Sequence, residues 1–71
     1  MTDTAKLRDL ISRSGLKTIY IAKSLGISYT SLKYKISNKR EFKASEISKM
    51  QTILGLTADE TAAIFFSVNV N

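Results

Sequence analysis

Three glycines divide this 71-residue chain into short stretches with helical spacing. Gly15, Gly26 and Gly55 each follow a run in which apolar residues recur every three or four positions, which is the spacing of one helix face. Glycine ends a helix at such a position because it adopts the left-handed conformation without steric cost. The chain has no proline and no internal repeat, so the pattern predicts several short helices packed into one domain.

Capping residues and apolar spacing together predict five helices. Asp3 is expected to cap the first helix and Ser28 the third, because their side-chain oxygens can accept a hydrogen bond from the first turn. Thr57 and Glu60 have the spacing of a capping box at the start of the fifth helix. The residues expected to face the core are Leu7, Leu10, Ile11, Ile21, Ala22, Leu25, Leu32, Ile36, Ile47, Met50, Ile53, Leu54 and Phe65, and the apolar pattern of the fifth helix runs through Ala63, Ile64 and Phe65. The sequence therefore predicts an all-helical, compact five-helix domain over residues 1–71.

Two segments fall outside the predicted helices. Residues 38–41 form a polar loop, and Phe42 is its expected apolar anchor. Residues 67–71 are expected to be a short C-terminal tail, whose polar and apolar residues alternate as in a strand. A second copy could pair with such a tail, so a monomer and a weak homodimer both remain open.

The composition argues against an enzyme and against a membrane protein. The chain has no cysteine and no histidine, so it lacks thiolate metal ligands and the commonest general base. It also lacks a glycine-rich phosphate loop, and we expect no catalytic site, no metal site and no cofactor. Its longest apolar run, residues 62–66, is too short to cross a bilayer, and its polar N-terminus does not resemble a signal peptide. The expected location is the cytoplasm.

Basic residues are concentrated in the middle of the chain. The net charge is +5, but residues 17–43 alone carry seven basic residues against one acidic residue, a balance of +6. The preceding segment has a balance of +1 and the following one a balance of −2. A basic cluster of this kind suits a nucleic-acid backbone, and the alternative is a solvated surface without a partner.

The segment from Thr18 to Ser37 has the pattern of a helix-turn-helix. Ala22 is small where two helices must approach closely, and Gly26 can make the sharp turn between them. Leu25, Ile27 and Leu32 are placed to fill the angle between the helices. In this motif the second helix of the pair enters the major groove of DNA.

The same segment resembles a known family through Ile21-Ala22-x-x-Leu25-Gly26-Ile27-Ser28-x-x-x-Leu32. This run is similar to the Cro/CI-type, lambda repressor-like helix-turn-helix regulators of bacteria and their phages. Residues 35–47 and 53–66 fit as well, so the resemblance covers nearly the whole chain. More narrowly, the chain looks like the short early proteins of temperate phages that act as modulators of repression. That resemblance implies a role in the lysogeny switch of a bacterial host, with the N-terminal DNA-binding domain of the phage CI repressor as partner.

The resemblance also implies which residues meet DNA or the partner. Tyr29, Thr30 and Lys33 correspond to positions that face base edges in the family. Gln or Ser is common where Tyr29 stands, and tyrosine does not make the bidentate amide contact to adenine. The positions that correspond to phosphate contacts are Thr18, Ser28, Asn38, Lys39 and Arg40.

An apolar patch is expected on the same two helices. The helical period places Ile19 and Tyr20 on or near the outside of the second helix, opposite its inner face. Tyr29 and Tyr34 on the third helix would extend this patch, and exposed apolar clusters often mark protein partners. Alternatively, Ile19 and Tyr20 pack locally against the first or fourth helix, and the two tyrosines lie over neighbouring aliphatic groups.

Two functional hypotheses follow. In the first, the chain is an anti-repressor that covers the DNA-binding domain of the CI repressor with its helix-turn-helix face. In the second, it is a Cro-like, sequence-specific repressor that binds operator DNA at an early phage promoter. The apolar patch favours the first, and the basic middle third favours the second.

Overall fold

Five α-helices follow one another through residues 1–67, the part of the chain that this computed structural model describes. They are α1 (Thr4–Ser14), α2 (Thr18–Leu25), α3 (Tyr29–Ile36), α4 (Ala44–Leu54) and α5 (Ala58–Phe65). No strand occurs among these residues, so the prediction of an all-helical domain of five helices is confirmed. Of the predicted C-terminal tail, residues 68–71 lie outside the described part of the chain.

The predicted caps form. The side chain of Asp3 accepts a hydrogen bond from the first turn of α1 at 3.1 Å, and that of Ser28 accepts one from the first turn of α3 at 3.0 Å. At the start of α5, Thr57 and Glu60 exchange hydrogen bonds of 2.8 and 3.1 Å, which confirms the capping box. The Thr57 N–H group stabilises the Glu60 carboxylate and lowers its pKa. Local sequence signals therefore set where these helices begin.

The turn between α2 and α3 depends on Gly26. Its φ of 73° lies in the left-handed region, which a side chain rarely occupies. The chain can then change direction within a few residues, and the N–H group of Ile27 donates to the carbonyl oxygen of Ala22 at 3.1 Å. Ala22 is buried, in agreement with the prediction that it lies on the inner face of α2.

Each helix contributes one completely buried side chain to a single core. These side chains are Leu7, Ile21, Leu32, Met50 and Ile64. Burying a side chain of this size stabilises the fold by about 1.5–3 kcal/mol. The other predicted core residues that are buried are Ile11, Ala22, Leu25, Ile36 and Phe65, while Leu10, Ile47 and Leu54 are partly buried against them.

Two core positions need further comment. Ile53 is only half-buried and is not part of the core cluster; it lines a shallow groove between α2 and α4 instead. Phe42 packs on the core with its ring edge-to-face against Phe65, with centroids 5.2 Å apart. This contact confirms that Phe42 anchors the loop before α4.

A buried ion pair joins α3 to α4. The Nζ atom of Lys35 donates to both carboxylate oxygens of Glu46, at 2.6 and 2.7 Å, and both side chains are buried. Glu46 also accepts a hydrogen bond of 2.8 Å from the N–H group of Lys43 at the start of α4. Burial alone would raise the pKa of Glu46, but the bonds from Lys35 and Lys43 hold it below its ordinary value near 4.5. Lys35 is therefore not part of the basic surface cluster, although its position among the basic residues 17–43 suggested that it was.

Hydrogen bonds hold the first residues of the chain to the loop after α3 and to α5. Thr2 donates its N–H group to the side chain of Asn38 at 2.8 Å and accepts from that side chain at 2.7 Å. The N–H group of Asp3 donates to the carbonyl oxygen of Ile64 at 2.6 Å. Asn38 itself has a left-handed φ of 67°, which asparagine tolerates better than most residues. The N-terminal segment thus connects the end of α3 to α5.

Candidate recognition surface

Helices α2 and α3 present one exposed side, here called the α2–α3 face. It consists of Ile19, Tyr20 and Lys23 on α2, with Tyr29, Thr30, Lys33 and Tyr34 on α3. At about 100° per residue they cover about 100° of the circumference of α2 and about 140° of that of α3, and the buried residues of each helix occupy the other side. The face therefore follows directly from the helical period and from which residues enter the core.

The α2–α3 face holds most of the large apolar side chains that are exposed in the described part of the chain. Of the six large apolar residues that are exposed within residues 1–67, it holds four. Ile19 and Tyr20 are 53% and 54% exposed, and Tyr29 and Tyr34 are 46% and 37% exposed. The prediction that these four side chains lie on the outside is confirmed, although neighbouring groups cover part of each of them.

Cations lie over the rings of both α3 tyrosines. The Nζ atom of Lys33 is 5.5 Å from the centroid of the Tyr29 ring. Lys39 and Arg40, from the loop after α3, lie 5.4 and 5.2 Å from the centroid of the Tyr34 ring. Each such contact contributes about 0.5–1 kcal/mol at an exposed site. Basic and aromatic groups are therefore arranged together on the face rather than in separate patches.

Four of the predicted contact residues have their side chains engaged or partly covered. One of them is Arg40, which donates to the Ser31 hydroxyl at 3.2 Å. The Ser28 hydroxyl caps α3, and the Asn38 amide is bonded to Thr2. Thr18 is half-buried at the start of α2. Thr30, by contrast, is exposed at the centre of the face, between the two tyrosines. Direct side-chain contact with a partner is thus best supplied by the exposed members of the predicted set.

The positive charge of this region has little acidic compensation nearby. Once Lys35 is paired with Glu46, six basic side chains in residues 17–43 remain exposed, and Glu41 is the acidic residue among them. Neither α2 nor α3 has an acidic residue in its first turn, so their positive dipole ends are not offset. Acidic residues lie elsewhere: Asp9 pairs with Arg13 on α1, and Asp59 lies at the start of α5.

A groove of about 670 Å³ adjoins the face, between α1 and α3. Its lining joins the basic residues Arg8, Lys17 and Lys33 to apolar groups that include Leu16, Ile19 and Tyr29. Sequence reasoning did not assign Arg8 to the site, because its position in α1 is remote from the motif in the chain. Only the packing of α1 against α3 reveals that it belongs there.

Residues 1–67 contain no group of three acidic residues placed to hold a metal ion. No helix in that part of the chain is long and apolar enough to cross a membrane. Comparison with protein-family models, curated proteins and solved structures finds no match to this chain.

Proposed function

We propose that this chain is a helix-turn-helix regulator of the Cro/CI type that binds the DNA-binding domain of a phage CI repressor. Its α2–α3 face would cover the surface with which the repressor holds its operator, so that the lysogeny switch shifts toward lytic growth. The observation that carries the proposal is the exposure of Ile19, Tyr20, Tyr29 and Tyr34 on this face. Support for the regulator family comes from the helix–turn–helix geometry around Gly26 together with the sequence resemblance.

The chemistry of the face suits a protein better than a DNA groove. A DNA reader needs amide and guanidinium groups for base edges and cations for phosphates. Ile19 and Tyr20 supply neither, yet both are more than half exposed at the start of α2. Tyrosine and isoleucine are well suited to a desolvated protein interface, where aromatic anchors contribute much of the binding free energy.

Occlusion is then sufficient as a mechanism. If the operator and this chain bind the same repressor surface, each excludes the other, and the balance depends on concentrations and affinities alone. This mechanism needs no catalytic group, metal or cofactor, and a monomer of the chain is enough to cover the repressor surface. The process takes place in the cytoplasm of the bacterial host, where the repressor meets its DNA.

The second candidate function is a Cro-like repressor that binds operator DNA directly. It is favoured by one observation, the concentration of exposed cations in residues 17–43 together with the exposed Thr30 and Lys33 on α3. This candidate predicts an affinity for DNA that falls steeply with salt, because bound cations release counterions from phosphates.

A displacement titration distinguishes the two candidates. Labelled operator duplex is first saturated with the CI repressor, and the purified chain is then added while fluorescence anisotropy is followed at constant salt. We expect the anisotropy to fall to the value of free DNA as the repressor leaves. A rise to a new plateau would contradict occlusion. Saturable binding of the chain to the duplex without repressor would support the DNA-binding role.

A further inference from the structure

The groove between α1 and α3 has a chemistry that the proposed function does not yet use. Its cations, Arg8, Lys17 and Lys33, are all exposed, and no acidic residue lines it. Its apolar lining includes Ile19 and Tyr29, which also belong to the α2–α3 face. The groove and the face are therefore one continuous surface, in which apolar groups are bordered by positive charge.

The proposed partner makes this charge important. A surface that holds DNA is itself basic, because it must neutralise phosphates. Two basic surfaces that meet repel each other, and like-charge juxtaposition costs several kcal/mol. Carboxylates on the repressor that meet the cations of this chain would remove this repulsion. Arg8 and Lys17 lie beside the apolar groups that such a contact would bury.

On the basis of the proposed function, we infer that this groove receives a repressor helix that presents carboxylates beside an apolar side chain. A volume of about 670 Å³ accommodates several side chains from one face of a helix rather than the whole helix. The apolar side chain packs on Ile19 and Tyr29, and the carboxylates pair with Arg8 and Lys17. This is the helix-in-groove mode of recognition, with charge setting the orientation of the helix.

Two other occupants fit the groove less well. A phosphate backbone would use the cations but leave the apolar lining without a partner. A second copy of this chain would have to offer its own acids, and those at the start of α5 already lie near Lys6 and Arg13 in a mixed-charge groove. A protein partner with uncompensated carboxylates uses both halves of the lining.

The test compares charge reversals inside and outside the groove. The probes are the isolated N-terminal domain of the CI repressor and its operator duplex, each titrated calorimetrically against the full chain. Arg8→Glu is expected to weaken binding of the repressor domain about tenfold or more and to flatten its salt dependence. Lys49→Glu, an equal charge change on α4, is the matched control and should change the affinity less than about twofold. Repressor variants with the contacting carboxylates changed to lysine should bind Arg8→Glu better than they bind the unmodified chain.

The outcomes distinguish failure of the groove inference from failure of the proposed function. If Arg8→Glu binds the repressor domain as tightly as the unmodified chain while Ile19→Lys does not bind, the groove inference is wrong and the proposed function stands. If the unmodified chain does not bind the repressor domain at all, the proposed function fails. Loss of duplex binding without loss of repressor binding would make the groove a phosphate site. If the chain self-associates in sedimentation equilibrium and Arg8→Glu abolishes that association, the occupant of the groove is a second copy of the chain. Either of these last two results would overturn the inference.

Discussion

Replacing Glu46 by alanine is expected to lower the free energy of unfolding by about 3–5 kcal/mol, because it leaves the Lys35 ammonium buried without a partner. The N–H group of Lys43 would lose its acceptor as well. A domain of this size has a total stability of only about 4–11 kcal/mol, so Glu46→Ala is expected to be partly unfolded at 37 °C. Urea denaturation followed by circular dichroism measures the loss.

Two further variants test the cause of that loss. The double variant Lys35→Met/Glu46→Leu removes both charges, so it should be far more stable than Glu46→Ala and close to the unmodified chain. Glu46→Gln keeps the shape of the side chain but removes its charge, so it measures the contribution of the charge to stability. Since the pKa of Glu46 is lowered by folding, its carboxylate stabilises the fold fully above pH 4.5 and progressively less as the pH falls through the lowered value. The stability gap between Glu46→Gln and the unmodified chain should therefore narrow below pH 4.5. A Glu46→Ala chain as stable as the unmodified one would show that the pair does not hold α3 to α4.

Introducing charge at Ile19 or Tyr20 is expected to have the largest effect on recognition. Ile19→Lys and Tyr20→Glu should each weaken binding of the repressor domain about 30-fold or more, the loss typical of an anchor residue in a desolvated contact. Both side chains are more than half exposed, so stability should change by no more than about 0.5 kcal/mol. Calorimetric titration with the repressor domain gives the affinities.

The sign of the Ile19→Lys effect separates the two functional candidates. If the α2–α3 face binds DNA, an added cation strengthens binding to the duplex instead of weakening recognition. Phe66→Lys is the matched control, because Phe66 is 62% exposed near the chain termini, away from α2 and α3. A Phe66→Lys variant that loses as much repressor affinity as Ile19→Lys would contradict the assignment of the site to this face.

Much of the fold is predictable because its signals are local. Apolar spacing identifies the inner face of each helix within one or two turns, and caps such as Ser28 and Thr57 act on residues three positions away. The outward position of Ile19 and Tyr20 follows from the same period once the inner face of α2 is known. The exposed face was therefore predictable from the sequence, although its partner was not.

The features that the sequence did not reveal depend on contacts between distant residues. Lys35 looks like one more surface lysine until α4 brings Glu46 against it, 11 positions later. Asn38 resembles a loop residue free to meet phosphate, but its amide holds Thr2, 36 positions earlier. Arg8 lines the groove beside the α2–α3 face only because α1 packs on α3. Helical periodicity does not predict any of these contacts, because they depend on how the helices pack against one another.

The most direct test of the central claim is a map of the contact itself. The ¹⁵N-labelled chain is titrated with the unlabelled N-terminal domain of the CI repressor, and amide chemical shifts are followed by NMR. We predict that the shifts concentrate on residues 18–20, 29–34 and the α1 residues beside the groove, with little change at residues 44–66. Shifts confined to α4, α5 or the chain termini, or their absence at saturating repressor, would contradict the claim that the α2–α3 face binds the repressor.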